Sequence, residues 1–188
     1  MTKTTGHQTK SMILAALFLG MMIVIQLLGR FNPDFSRIFV GPMINALFLL
    51  AVIFCGRRYG ILLAVISPLM AFMTGQLNPA LAPFIPFIML GNLALVVPFS
   101  FLQKNFSRCV IGIIVGSGLK FFVMYMAARY AVPVFGLPIP PALQQRLPVA
   151  FGIVQFYAAL LGGAVALTLS SVLKNRDLAK RLGNRYES

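Results

Sequence analysis

The stretch IGIIVGSGLKFFVMYMAARY, residues 111–130, is apolar enough to cross a bilayer yet carries Lys120 near its centre. About 20 residues of α-helix rise roughly 30 Å, the depth of the hydrocarbon core. An ammonium held at that depth costs about 3 kcal/mol on insertion scales, so it belongs against a bundle interior, a cavity or an anionic partner rather than acyl chains. The fold therefore has to supply other helices around it.

The rest of the chain supplies them. With 59% hydrophobic residues, 10% charged residues and a mean hydropathy of +0.89, the sequence is too apolar for a water-soluble surface. Apolar runs at 11–29, 38–54, 59–75, 82–102, 109–131 and 148–173 each approach or exceed the length of a span. The ten-residue alternation of barrel strands is absent, and unpaired backbone is too costly in lipid for open strands. The expectation is an all-α integral membrane bundle of six transmembrane helices, one membrane domain over 1–188 that ends in a basic tail at 174–188. Pro68 lies inside the third run and predicts a bend there.

Charge placement orients the bundle. The net charge of +13 would point to nucleic acid in a soluble protein, but here the cations follow the membrane. With the N-terminus inside, eleven Lys and Arg fall in inner segments, whereas Arg30, Arg37, Arg129 and Arg146 are the four in outer loops. This bias predicts both termini in the cytoplasm and no nucleic-acid partner. The tail from Lys174 to Arg185 reads as an anchor to lipid headgroups, with docking of a partner as the alternative. No small-x-small cleavage site follows the first run, which is kept as a helix. Cys55 and Cys109 fall at inner ends of helices, in a reducing compartment, and imply neither a disulfide nor a metal site.

Catalysis finds few residues. The carboxylates are Asp34 in an outer loop and Asp177 and Glu187 in the tail, and the single imidazole, His7, is in the leader. No predicted span holds a carboxylate or histidine for proton abstraction or metal binding. There is no Gly-rich phosphate loop, so no ATP hydrolysis and no cofactor are expected. A proton-coupled carrier would need an acidic residue within the membrane, and no inverted repeat supports a sodium-coupled one.

What the spans do hold is a sparse set of polar groups at comparable depth. Asn45, Asn92 and Gln155 lie in the outer halves of the second, fourth and sixth runs, Lys120 is central in the fifth, and Tyr125 and Arg129 approach its outer end. They are expected to converge on one pocket whose cargo carries a negative group, with Lys120 as counter-charge and Arg129 at the entrance. The competing accounts are that Lys120 bonds backbone carbonyls near a helix break at Gly112, Gly116 and Gly118, or snorkels, and that Asn45 and Asn92 only bridge helices. Tyr157, two residues from Gln155, points to another face. The loop GQLNPALAPFIP, residues 75–86, carries Gln76 and Asn78 and reads either as a lid over the pocket or as a rigid turn; the proline-rich 131–148 loop would shape its mouth. On the first helix, Ser11 with Ala15 and Ala16 with Gly20 are small-residue pairs at spacing four, suited to a close-packed helix of the same chain or of a partner.

This pattern resembles a family. A six-helix chain of this size, with a small-residue stripe on its first helix and the block GPMINALFLLAVIFCGRRYGILLAVISPLMAFMTG at 41–75, is similar to the substrate-binding S components of energy-coupling factor (ECF) vitamin transporters. Gly-Pro near the start, a Gly/Tyr-Gly inner turn and a proline in the third helix carry the likeness. Ala64 stands where the family often has glycine, and its Ala-xxx-Ala motif appears here as Ser11-xxx-Ala15 and Ala16-xxx-Gly20.

The resemblance implies high-affinity binding of a small water-soluble vitamin from outside and docking to a membrane T subunit with two ATPases. It also implies residence in a bacterial plasma membrane and a cargo site formed by Gln76, Asn78, Asn92, Lys120, Tyr125 and Gln155. A cationic pocket favours a carboxylate such as pantothenate, with folate, lipoate, niacin or biotin as further candidates; riboflavin stays open. A metal cargo is disfavoured, because His7 is the only candidate ligand. The alternatives are a stand-alone secondary transporter or channel for a small anion, or a membrane scaffold.

Overall fold

A computed structural model of the chain describes residues 2–31 and 36–186, with side chains described over 8–31 and 38–174. It is helical, and no strand occurs among the described residues. Helix α1 runs Thr2–Phe31, and a π-helical turn at Ser36–Val40 leads into α2, Gly41–Cys55. Helix α3 runs Arg57–Met73; a 3-10 turn at Pro79–Phe84 enters α4, Ile85–Leu102. Helix α5, Phe106–Met126, continues through a π-helical turn at Ala127–Ala131 and a short turn at Val132–Val134. Short turns at Pro141–Gln144 and Leu147–Ala150 precede α6, Ile153–Tyr186.

Among the described residues, five segments are long and apolar enough to cross a membrane: Gln8–Phe31, Ile38–Cys55, Pro79–Leu102, Phe106–Val134 and Leu147–Lys174. Helix α3 is shorter, with 17 residues.

The ends differ from the hydropathy boundaries for local reasons. Helix α1 begins at Thr2 rather than at residue 11, because no proline interrupts the leader and a helix need not stop where lipid does. Likewise α6 runs past 173 to Tyr186, since the Lys-, Arg-, Leu- and Ala-rich segment is composed of good helix formers. Its start moves from 148 to Ile153 because Pro148 and Gly152 confine the preceding residues to a separate turn. The side chains of 175–188, most of the expected basic tail, lie outside those described.

Turns set the packing. Gly56, at φ +96°, is the whole connection between α2 and α3, and its N–H closes on the carbonyls of Ala51 and Val52 at 3.1 and 3.2 Å. A side chain would strain that left-handed conformation, so glycine makes the tight hairpin possible. Helix α2 becomes the central element: Ile44 through Val52 are all buried, and Phe48 and Leu49 pack with Leu95 and Phe99 of α4 and Met22 of α1. Helix α5 is continuous through Gly112 and Gly116. A Cβ on Gly116 would stand 2.7 Å from the carbonyl oxygen of Leu95, so this glycine lets α4 and α5 approach rather than breaking the helix.

A second apolar cluster caps one end of the bundle. Leu81 and Phe84 of the 3-10 turn pack on Met124, Ala128 and Val132, with Ile139 and Leu147 from the proline-rich loop. The Phe84 ring is 5.0 Å from that of Phe151 and 5.4 Å from that of Phe87, at tilted angles typical of attractive aromatic pairs.

Candidate functional site

Beneath that aromatic cap lies a cavity of about 260 Å³ walled by all six helices and by the turns that precede α2, α4 and α6. Its polar wall is built around one cation. Lys120 of α5 is 2% exposed, and its Nζ donates to Asn45 Oδ1 at 2.8 Å and to Asn92 Oδ1 at 2.9 Å. The expected alternative, bonding to backbone at a break in its own helix, does not occur. Two amide oxygens take two of the three ammonium donors, and neither acceptor carries a charge.

Each asparagine is itself held. Pro68 interrupts the amide ladder of α3, leaving the carbonyl of Ala64 without its usual i+4 donor. Asn92 Nδ2 donates to that carbonyl at 3.1 Å, which turns its Oδ1 toward Lys120. Asn45 is fixed by close packing. A Cβ on Gly162 of α6 would stand 2.7 Å from Asn45 Cβ and 2.6 Å from the carbonyl oxygen of Pro42, so α6 lies directly against the α2 backbone that carries this asparagine. Asn45 Nδ2 is buried without a hydrogen-bond partner.

A second polar pair completes the wall. Gln26 of α1 is 1% exposed and donates Nε2 to the carbonyl of Ser67 at 3.1 Å and to its Oγ at 3.2 Å. Its Oε1 has no partner. Gln155 of α6 and Gln76, just beyond α3, also line the cavity, and Phe151 links it to the cap. Arg30, at the end of α1, donates to the carbonyl of Thr74 at 3.2 Å and rests on Gly75, tying α1 to the turn that carries Gln76.

Five residues singled out from the sequence, Lys120, Asn45, Asn92, Gln155 and Gln76, thus share one cavity. Three others stand apart. Asn78 caps the 3-10 turn, its Oδ1 accepting from the Ala80 N–H at 3.0 Å. Tyr125 stacks on Phe121 at 5.7 Å, and Arg129 is exposed on the π-helical turn. At 3.6 residues per turn Tyr125 is about 140° around α5 from Lys120, and Arg129 lies past the end of α5. Tyr157 is 59% exposed. Gln26 and Ser67 were not anticipated, although Gln26 is as conspicuous a polar residue within an apolar run as Asn45.

The small-residue pairs divide likewise. Ser11 and Ala15 are buried and share the inward face of α1 with Met22 and Gln26, so packing within the chain occupies them. Ala16 and Gly20 are exposed beside Leu17, Met21 and Val24.

No Asp or Glu lies among the residues whose side chains are described; Asp34, Asp177 and Glu187 fall outside them, as does His7. The cavity therefore offers a buried cation, several amides and a hydroxyl, and among the described residues no acid to balance the cation. That arrangement suits holding a small polar anion by charge and hydrogen bonds.

A protein-family model described as "ECF transporter, substrate-specific component" matches residues 10–173. No curated protein and no solved structure matches the chain.

Proposed function

The chain belongs to the substrate-specific components of ECF transporters, multi-pass proteins of the cell membrane that bind a small substrate and work with a T subunit and ATPases, and from that premise we propose that its cargo is a small carboxylate-bearing vitamin such as pantothenate, held in the Lys120 cavity. The observation that carries the reading is the environment of Lys120: a fully enclosed amine on the wall of a cavity, partnered only by neutral amide oxygens. Burying a cation without an opposite charge is costly, and an incoming carboxylate removes that cost. Cavity size favours a compact cargo. At about 260 Å³ the space lies at the low edge of sites for drug-sized ligands, which run roughly 300–1,000 Å³, and suits pantothenate better than folate.

In this reading α3 is the sixth span, both termini face the cytoplasm, and the turns carrying Gln76 and Phe151 cover the cavity from outside. Ala16 and Gly20 form the part of the α1 stripe open to the T subunit. Catalysis plays no part, and ATP hydrolysis belongs to the partner subunits.

Native mass spectrometry of the protein purified in mild detergent tests the proposal. The wild type is expected to retain a small acid, and Lys120→Met to lose it, with affinity reduced by about 30-fold or more, equivalent to 2 kcal/mol or above for truncating one side of a buried charge pair. A retained cation or neutral molecule, or unchanged affinity in Lys120→Met, removes the assignment.

A further inference from the structure

Two side chains that line the cavity each carry an orphaned, almost fully buried amide atom, and the two atoms have fixed and opposite hydrogen-bonding character. An Asn or Gln amide can be turned end for end, so only its partners fix which atom faces them. Here their partners settle the orientation. An ammonium only donates, so the atom of Asn45 facing Lys120 Nζ is oxygen and its orphan is the Nδ2 donor. A carbonyl only accepts, so the atom of Gln26 facing the Ser67 carbonyl is nitrogen and its orphan is the Oε1 acceptor. Both residues are more than nine-tenths buried, and both line the same cavity.

We propose that Gln26 is a specificity-determining residue: its Oε1 accepts a hydrogen bond from an O–H or N–H of the cargo, while Asn45 Nδ2 and the remaining Lys120 N–H donate to the cargo's acidic group. The inference rests on the reading that the cavity binds an acid, and narrows it to acids that carry a separate hydrogen-bond donor. A buried acceptor left unpaired is penalised, so an acid without such a donor is rejected, as sites built to bond an O–H or N–H reject analogues lacking it. Among the carboxylates considered above, pantothenate with its hydroxyls and amide N–H and biotin with its ureido N–H qualify. Lipoate and nicotinate do not.

Titration calorimetry of the detergent-purified protein with pantothenate, biotin, lipoate and nicotinate tests this. Wild type is expected to bind pantothenate or biotin at least tenfold more tightly than lipoate and nicotinate. Gln26→Met, similar in size and without the acceptor, is expected to reduce that preference to threefold or less, and Ser67→Ala to reduce it partly, by loosening one of the two bonds that orient Gln26. Lys120→Met should instead weaken all the acids together. Thermal unfolding of each variant confirms a folded protein, and Ser67→Ala supplies the comparison if Gln26→Met unfolds. Tight binding of lipoate or nicotinate, or an undiminished preference in the folded variants, overturns the role of Gln26 and leaves the acid reading intact. Failure of folded wild type to bind any of the four overturns both.

Discussion

Asn92 occupies the place of a missing amide: its Nδ2 lies 3.1 Å from the carbonyl of Ala64, the acceptor that Pro68 cannot serve. The proline thus helps set the polar wall of the cavity from another helix, since the same asparagine presents Oδ1 to Lys120. In Pro68→Ala the new N–H at 68 competes for Ala64, freeing Asn92 to rotate. Acid binding is expected to weaken about threefold to tenfold, within the roughly 0.6–1.7 kcal/mol of single interhelical hydrogen bonds in membranes. Helix propensity rises at the same time, so the melting temperature in detergent should hold or increase. A parallel fall in both would mean that Pro68 acts through general packing.

Replacing a neutral partner of Lys120 by a charged one tests whether the cation is reserved for cargo. Asn92→Asp keeps the size, and its carboxylate neutralises the amine from within; like Asn92→Leu, it gives up the bond to the Ala64 carbonyl, so that loss is common to both variants. The variant is expected to fold and to lose at least tenfold in acid affinity, because an anionic cargo then meets an already paired charge and a new repulsion. Asn92→Leu removes the acceptor without adding charge and should cost less. Equal losses for the two, measured by calorimetry, would argue for a shape effect.

Much of this candidate site is legible in the sequence because membrane helices make polar residues conspicuous. Lys120, Asn45, Asn92 and Gln155 are outliers in apolar runs, and lipid drives such groups inward whatever the details of packing. Gln26 met the same criterion and lay unnoticed in the first run, next to the more obvious small-residue pattern. Assignments that needed rotation about a helix axis were harder: Tyr125 is on another face of α5 from Lys120, and Arg129 lies past the end of that helix on the π-helical turn. Asn78 was visible as a loop polar residue, yet the Asn-Pro step turns its side chain to the backbone of its own turn. Helix existence followed from apolar length, while helix ends depended on Gly56, Pro148 and Gly152, where chain stereochemistry overrides hydropathy.

Gly162 controls how closely α6 approaches α2. Any β-carbon there meets the Pro42 carbonyl and Asn45 at 2.6 and 2.7 Å, both on backbone or near it, with no flexible tip to yield. Gly162→Val is therefore expected to push the helices apart, lower stability by about 1–3 kcal/mol and displace Asn45 from Lys120. Both changes are measurable on one preparation, by thermal unfolding and by acid binding. Gly118→Val is the control, because a β-carbon there meets nothing within 4 Å. A destabilisation of the Gly162 variant no greater than that of the control would show that α6 can shift without cost.

Topology gives a test independent of the ligand. If α3 spans the membrane despite its 17 residues, the turns between α1 and α2, α3 and α4, and α5 and α6 lie on one side, and the α2–α3 and α4–α5 turns on the other. Helix α3 rises about 25 Å, so crossing requires modest thinning of the bilayer or flanking cations that reach the interface, and Arg57 and Arg58 stand at its start. The Arg57 guanidinium sits 4.9 Å over the ring of Phe101, which places the beginning of α3 beside the end of α4. In a background with Cys55 and Cys109, both buried, replaced by alanine, Arg146→Cys should react with an impermeant maleimide on intact cells. Lys104→Cys should react only after permeabilisation. Labelling of both on intact cells would put them on one side, with an even number of crossings between them rather than the single crossing of α5; the decisive result is therefore Lys104→Cys reacting on intact cells, which would overturn the inside placement of the α4–α5 turn and with it the cytoplasmic termini.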